Sequence, residues 1–142
     1  MKKEKSCGAV IYKNEDGKIY YLLSKMSLGH TSLSKGHVEN NETEVETAQR
    51  EIFEETSLKP NIETDFRKVI TYSPSDGIVK DVIFFVAKLE KNKEAKDLHD
   101  GEVVGFLWLE KEDAINALTY QSDKDVLLEA NKFIEGKENG KF

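Results

Sequence analysis

Arg50, Glu51, Glu54 and Glu55 stand close together in the chain, and their types and spacing could hold a divalent cation. On a helix, where each residue turns by about 100°, Glu51, Glu54 and Glu55 fall on one face with Glu44 beside them. Like charges three and four residues apart repel by a few tenths of a kcal/mol per pair, so something should offset that cost. Hard cations such as Mg2+ or Mn2+ prefer oxygen ligands, and magnesium typically takes few carboxylates together with water and substrate phosphates. The same face is also what an acidic, solvated helix presents, which for an arbitrary glutamate-rich helix is the commoner case.

The helix that would position these groups is legible. Thr43 and Glu46 have capping-box spacing, and Val45, Ala48 and Ile52 recur at helical intervals, predicting a helix over residues 43–56. Residues 7–12 and 19–23, rich in Val, Ile and Tyr, flank Asn14-Glu15-Asp16-Gly17 and predict a hairpin. Residues 24–42 show no period and abound in Gly, Ser, His and Asn, which predicts a long loop with little structure of its own. Residues 66–72, 79–89 and 103–109 read as strands, the middle one apolar on both faces and so central in the sheet. Residues 111–118 and 123–134 read as helices, with Leu118, Val126, Leu127, Ala130 and Phe133 as apolar positions. This order predicts a single α/β (α+β) layered domain over residues 1–135, with 136–142 a flexible C-terminal tail.

A chain of 142 residues suits one domain, so one site is expected. Its formal net charge of −6 argues against a surface that holds nucleic acid. Any phosphate-bearing ligand must therefore meet local positive charge or a metal. The single cysteine, Cys7, cannot form an internal disulfide and reads as a buried core residue, which points to a reducing compartment. No apolar run reaches the length of a membrane span. The expectation is a cytoplasmic protein without membrane or nucleic-acid partners, and nothing in the sequence sets an oligomeric state.

Residues 36–58, GHVENNETEVETAQREIFEETSL, resemble the Nudix box, G-x5-E-x7-R-E-U-x-E-E-x-G-U, where U is aliphatic. Gly36, Glu42, Arg50, Glu51, Ile52, Glu54, Glu55 and Leu58 stand in register, and so many fixed positions make a specific signal. Only Ser57 departs, in the place of the final glycine. The resemblance implies a Nudix-type α/β/α sandwich in which the box forms a loop, helix and loop packed on a mixed sheet. It also implies that Glu51, Glu54 and Glu55 bind Mg2+, or Mn2+, or position the attacking water. Arg50 would orient a neighbouring glutamate through a charge-assisted hydrogen bond. Arg50, Glu51 and Glu54 would then be the catalytic set, with Glu54 as base. Gly36 would permit a tight turn before the helix, and Ser57 would sit in a left-handed cap at a cost of about 1–2 kcal/mol.

Outside the box, Gly29-His30, residues 35–39, residues 80–87, Trp108-Leu109 after Glu102, and Leu118-Thr119-Tyr120 resemble the asymmetric diadenosine tetraphosphate hydrolases. That resemblance implies a small-molecule substrate, diadenosine tetraphosphate, cut to ATP and AMP. Lys35 and Lys80 would neutralise its phosphates beside Gly36, and His30 would donate to a phosphate oxygen. Tyr72 and Tyr120 would lie by the adenine, where stacking is typically worth about 1–3 kcal/mol per base. Glu102 would complete the metal shell or act as base. Thr31 replaces a common tryptophan and Ser34 a common proline, which loosens the loop that aims Lys35. The alternatives are a Nudix hydrolase of an oxidised nucleoside triphosphate, a capped RNA end or a diphosphoinositol phosphate, and a Nudix-fold nucleotide sensor without turnover.

Overall fold

The computed structural model describes residues 2–91, 93–96 and 101–140. Its frame is a seven-stranded mixed sheet organised around β1 (Lys2–Glu15). On one side β1 runs parallel to β6 (Ile78–Lys88), and β5 (Asn61–Tyr72) pairs with β6 beyond it. On the other side the first half of β1 pairs with β4 (Ser34–His37) and the second half with β2 (Lys18–Met26). β3 (Thr31–Ser32) and β7 (Val103–Leu109) both pair with β2.

Alternation along the strands builds two cores. Val10, Tyr12, Val82, Phe84 and Val86 face one layer, covered by α2 (Lys111–Ala117) and α3 (Gln121–Glu138). Cys7, Ala9, Ile11, Ile83, Phe85 and Ala87 face the other, where Ala48 and Ile52 of α1 (Glu44–Thr56) pack on them. The result is an α/β/α sandwich in which β6 is buried on both faces and lies between β1 and β5, as its unbroken apolar run requires. The β1–β2 hairpin closes through Asp16 and Gly17, at φ 54° and 86°, left-handed values that match the twist of paired strands.

α1 starts where its local signals put it. Thr43 Oγ1 accepts from the Glu46 amide at 3.1 Å, and Glu46 Oε1 accepts from the Thr43 amide at 2.9 Å. It ends at Ser57, whose φ of 61° is left-handed and whose amide donates to Phe53 O at 2.7 Å. Ser57→Gly removes the Cβ strain without losing that bond, and is expected to stabilise the fold by about 1 kcal/mol, or roughly 3–5 °C in Tm by calorimetry. An unchanged or lower Tm would show that the serine side chain compensates.

Two expectations need correction. Residues 24–42 are not a structureless loop, because β3 and β4 lie within them. Strands of two and four residues are too short to display a period, and β1 and β2 supply the pairing that defines them. The last helix also runs past residue 134 to Glu138. Its final turn is tethered by Glu138, which accepts from the Tyr12 hydroxyl at 3.2 Å, Asn14 Nδ2 at 3.0 Å and Lys88 Nζ at 3.1 Å. Residues 141–142 lie outside the described residues. Among the described residues no helix is long and apolar enough to cross a membrane.

Candidate active site

Arg50 is the hub of the box. Its Nε donates to Glu42 Oε2 at 2.7 Å, Nη1 to Glu51 Oε1 at 2.8 Å and Glu54 Oε1 at 2.9 Å, and Nη2 to His37 O at 2.7 Å and Glu42 Oε1 at 3.0 Å. A guanidinium has five N–H donors, so this set can occupy all of them. Glu42 also accepts from Thr47 Oγ1 and the Glu39 amide, both at 3.0 Å. The Arg50 bonds above all, with the Glu39 amide next, hold the Glu42 carboxyl down at about 2. Arg50 thereby ties the loop before α1 to the two glutamates on the helix.

Gly36 has a different duty from the expected tight turn. It lies within β4 opposite Cys7, and its φ is not left-handed. A methyl group there would fall 1.9 Å from Glu51 Cδ, so the missing side chain is what lets the Glu51 carboxylate lie against the strand. Glu54, with its side chain 29% exposed, is the more open of the two carboxylates that Arg50 holds on α1, and Glu55 is buried. Glu44, which the helical wheel puts on the same face, is engaged elsewhere. Arg67 grips it with two bonds of 2.8 Å and Lys5 approaches to 2.5 Å, and these cations pull its carboxyl down to about 2.

Among the described residues no three His, Cys, Asp or Glu side chains converge closely enough to cage a metal ion. Magnesium does not require such a cage, because water and substrate phosphates fill most of its octahedron. What it does require, charged oxygen donors on a partly open face, Glu51 and Glu54 supply. Glu102 is exposed just before β7, with its carbonyl accepting from the Ser27 amide at 2.9 Å.

The opposite face of the sheet holds a cavity of about 620 Å³ lined by His30, Lys35, Tyr72, Tyr120, Phe84 and Asp123, among others. This volume is in the range of small-molecule sites. Tyr72 and Tyr120 are about half exposed, and the rings of His30 and Tyr120 lie 5.7 Å apart, tilted by 51°. That approach is set by a clasp between β3 and the link from α2 to α3: the Thr31 amide donates to Thr119 Oγ1 at 2.8 Å and the Thr119 amide to Thr31 O at 3.1 Å. Lys80, paired with Tyr72 across β5 and β6, is buried, and burial together with the charge of Lys35 lowers its pKa. Lys35 itself is admitted by Gly8, where a Cβ would lie 1.9 Å from Ser34 O and 2.7 Å from Lys35 Cβ. Neither Gly8 nor Asp123 carries a signal in the sequence. An aspartate in a first helical turn reads as a partner for the helix dipole, and only tertiary packing buries it.

Asp123 is 6% exposed, and its carboxyl is pushed up to about 6, chiefly by burial. Lys35 and the Leu33 amide, which donates to it, oppose that rise. The folded value lies above the unfolded one of about 3.9, so stability is greatest below that value and falls by about 3 kcal/mol as pH rises through about 6. Urea unfolding of the protein and of Asp123→Asn at pH 4 and pH 8 should show the variant gaining on the native chain at the higher pH. A pH-independent difference would count against this assignment.

A NUDIX domain family model matches residues 2–130. The chain is 31% identical over 137 residues to the asymmetrical bis(5'-nucleosyl)-tetraphosphatase of Caenorhabditis elegans, covering 93% of this chain and 97% of that one. The enzyme of the same name from Mus musculus is 29% identical over 141 residues, covering 92% and 95%. A crystal structure of a C. elegans Ap4A hydrolase binary complex matches with a TM-score of 0.85 at 31% identity, over 94% of this chain and 98% of that one. In sequence and in three dimensions alike, the match spans nearly the whole chain, and this protein belongs to the Nudix family of pyrophosphohydrolases.

Proposed function

We propose that the chain cleaves diadenosine tetraphosphate into ATP and AMP with Mg2+, for which Mn2+ can substitute. The observation that carries this reading is the placement of β4 between two kinds of chemistry. Lys35 lines a cavity that also holds two half-exposed tyrosines and a histidine, while the next residue, Gly36, backs the Glu51 carboxylate on the other side. Successive residues of a strand point to opposite faces, so a phosphate chain leaving the cavity has one strand to pass before meeting the α1 carboxylates.

Tyr72 and Tyr120 hold an adenine by stacking, and His30 donates to a phosphate oxygen. Lys35 and Lys80 neutralise the chain, a local need in a protein of net charge −6. Nudix hydrolases generally need divalent metal ions. Glu51, Glu54, Glu55 and Glu102 would hold the cation, which when bound would supply charge stabilisation to the phosphate oxygens. Glu54 takes the proton from the attacking water, whose oxygen bonds to a phosphorus next to one adenosine. The bridging oxygen leaves with ATP, and AMP keeps the new oxygen. Arg50 keeps Glu51 and Glu54 aimed at that point. The single buried thiol suits the reducing cytoplasm, where we place the protein.

Chromatography of products after incubation with diadenosine tetraphosphate and magnesium tests the proposal, with Glu54→Gln as control. Equal ATP and AMP, both absent in the control, is the expected result. Two molecules of ADP, or no cleavage by folded protein, would overturn the substrate assignment.

A further inference from the structure

One wall of the cavity carries a group that the proposed reaction does not use. Asp123 lies in the first turn of α3, is almost fully buried, and faces the same space as Tyr72, Tyr120 and Phe84. It is near enough to Tyr72 for its charge to help raise the tyrosine's pKa, after burial itself. The Leu33 amide donates to its carboxyl and Lys35 adds a favourable charge, which leaves further acceptor capacity for a ligand, since a carboxylate can take about four hydrogen bonds. A buried acid in the wall of a cavity is a candidate for a group kept for its chemistry. A carboxylate only accepts, so the part of a ligand set against it must donate. The phosphate end of a nucleotide would be repelled there and drawn to Lys35 and Lys80. The base between the tyrosines would not.

We propose that Asp123 selects the nucleobase, accepting a hydrogen bond from an exocyclic amino group such as that on C6 of adenine. This rests on the reading of the cavity as a nucleotide seat, and not on the tetraphosphate being the substrate. Stacking alone tolerates any base, because every base has a π-face. A buried acceptor left unpaired penalises a base that lacks the donor.

Calorimetric binding of ATP and of its 6-hydrogen counterpart, purine riboside triphosphate, tests this without turnover. The native protein should bind ATP about ten- to hundredfold more tightly, the range expected for a hydrogen bond to a charged group. Asp123→Leu, which keeps the volume, should bind the two alike. Equal binding by the native protein, no binding of either nucleotide, or a preference that survives in Asp123→Leu would each overturn the inference. If the leucine variant does not fold, Asp123→Asn serves: its oxygen can stay on the Leu33 amide while its Nδ2 faces the base, and the preference should vanish or invert. Turnover of diadenosine tetraphosphate is measured alongside. Discriminating binding without turnover keeps Asp123 as the selector and removes the tetraphosphate reading, and turnover without discrimination does the reverse.

Discussion

Glu54→Gln should lower kcat by about 10²–10⁴, the range typical for removal of a general base, with KM and the melting temperature little changed. The stability half of this expectation follows from the Arg50 hub. Glutamine keeps an oxygen that can accept from Arg50 Nη1, now at 2.9 Å from Glu54 Oε1, and the other four bonds of the guanidinium do not involve this side chain. The position is also open enough that an amide meets no desolvation penalty beyond that of the acid. The chemical half follows from the amide's inability to take a proton. At magnesium high enough to keep the weakened cation site filled, the loss falls on kcat and not on ground-state binding, because the base acts only as the transition state is reached. Steady-state kinetics with diadenosine tetraphosphate, run beside a thermal melt, separates the two halves. A variant that keeps more than about a third of the native kcat would move the base to Glu51 or Glu102.

The helix bearing these groups was readable from residues 43–57 alone because everything that defines it is local. Thr43 and Glu46 close on each other, Ala48 and Ile52 recur on one face, and the left-handed cap falls at Ser57. β6 was readable for a similar reason, its two apolar faces being written in consecutive residues. What escaped sequence reasoning depends on partners far away in the chain. Glu44 looks like a member of the acidic face until Lys5 from β1 and Arg67 from β5 take it. Residues 24–42 look unstructured until β1 and β2 pair with them. Thr31, a departure from the subfamily pattern, uses its backbone to clasp Thr119, so the contact between His30 and Tyr120 does not depend on the side chain that changed.

Two glycines at facing strands show how differently the same missing side chain can act, and Gly36→Ala carries the second large effect. Neither Gly8 nor Gly36 has a left-handed φ, so alanine brings no backbone strain at either position. At Gly36 the new methyl would lie 1.9 Å from Glu51 Cδ, the far end of a flexible side chain that can swing aside. The fold should therefore survive with about 1 kcal/mol lost, mainly the Arg50–Glu51 bond of 2.8 Å in a half-open setting. The displaced carboxylate is another matter, since misplacing a catalytic group by about 1 Å can remove two orders of magnitude in rate. Gly36→Ala is expected to lose about a hundredfold or more in kcat with its Tm within a few degrees of native. At Gly8 the methyl would instead lie 1.9 Å from Ser34 O, a backbone atom in the β1–β4 pair that cannot yield without breaking the pairing. Gly8→Ala should thus unfold or strongly destabilise the protein. A Gly36→Ala enzyme with native kcat would mean that Glu51 need not lie against β4 for catalysis, and the link drawn between that strand and the α1 carboxylates would fail.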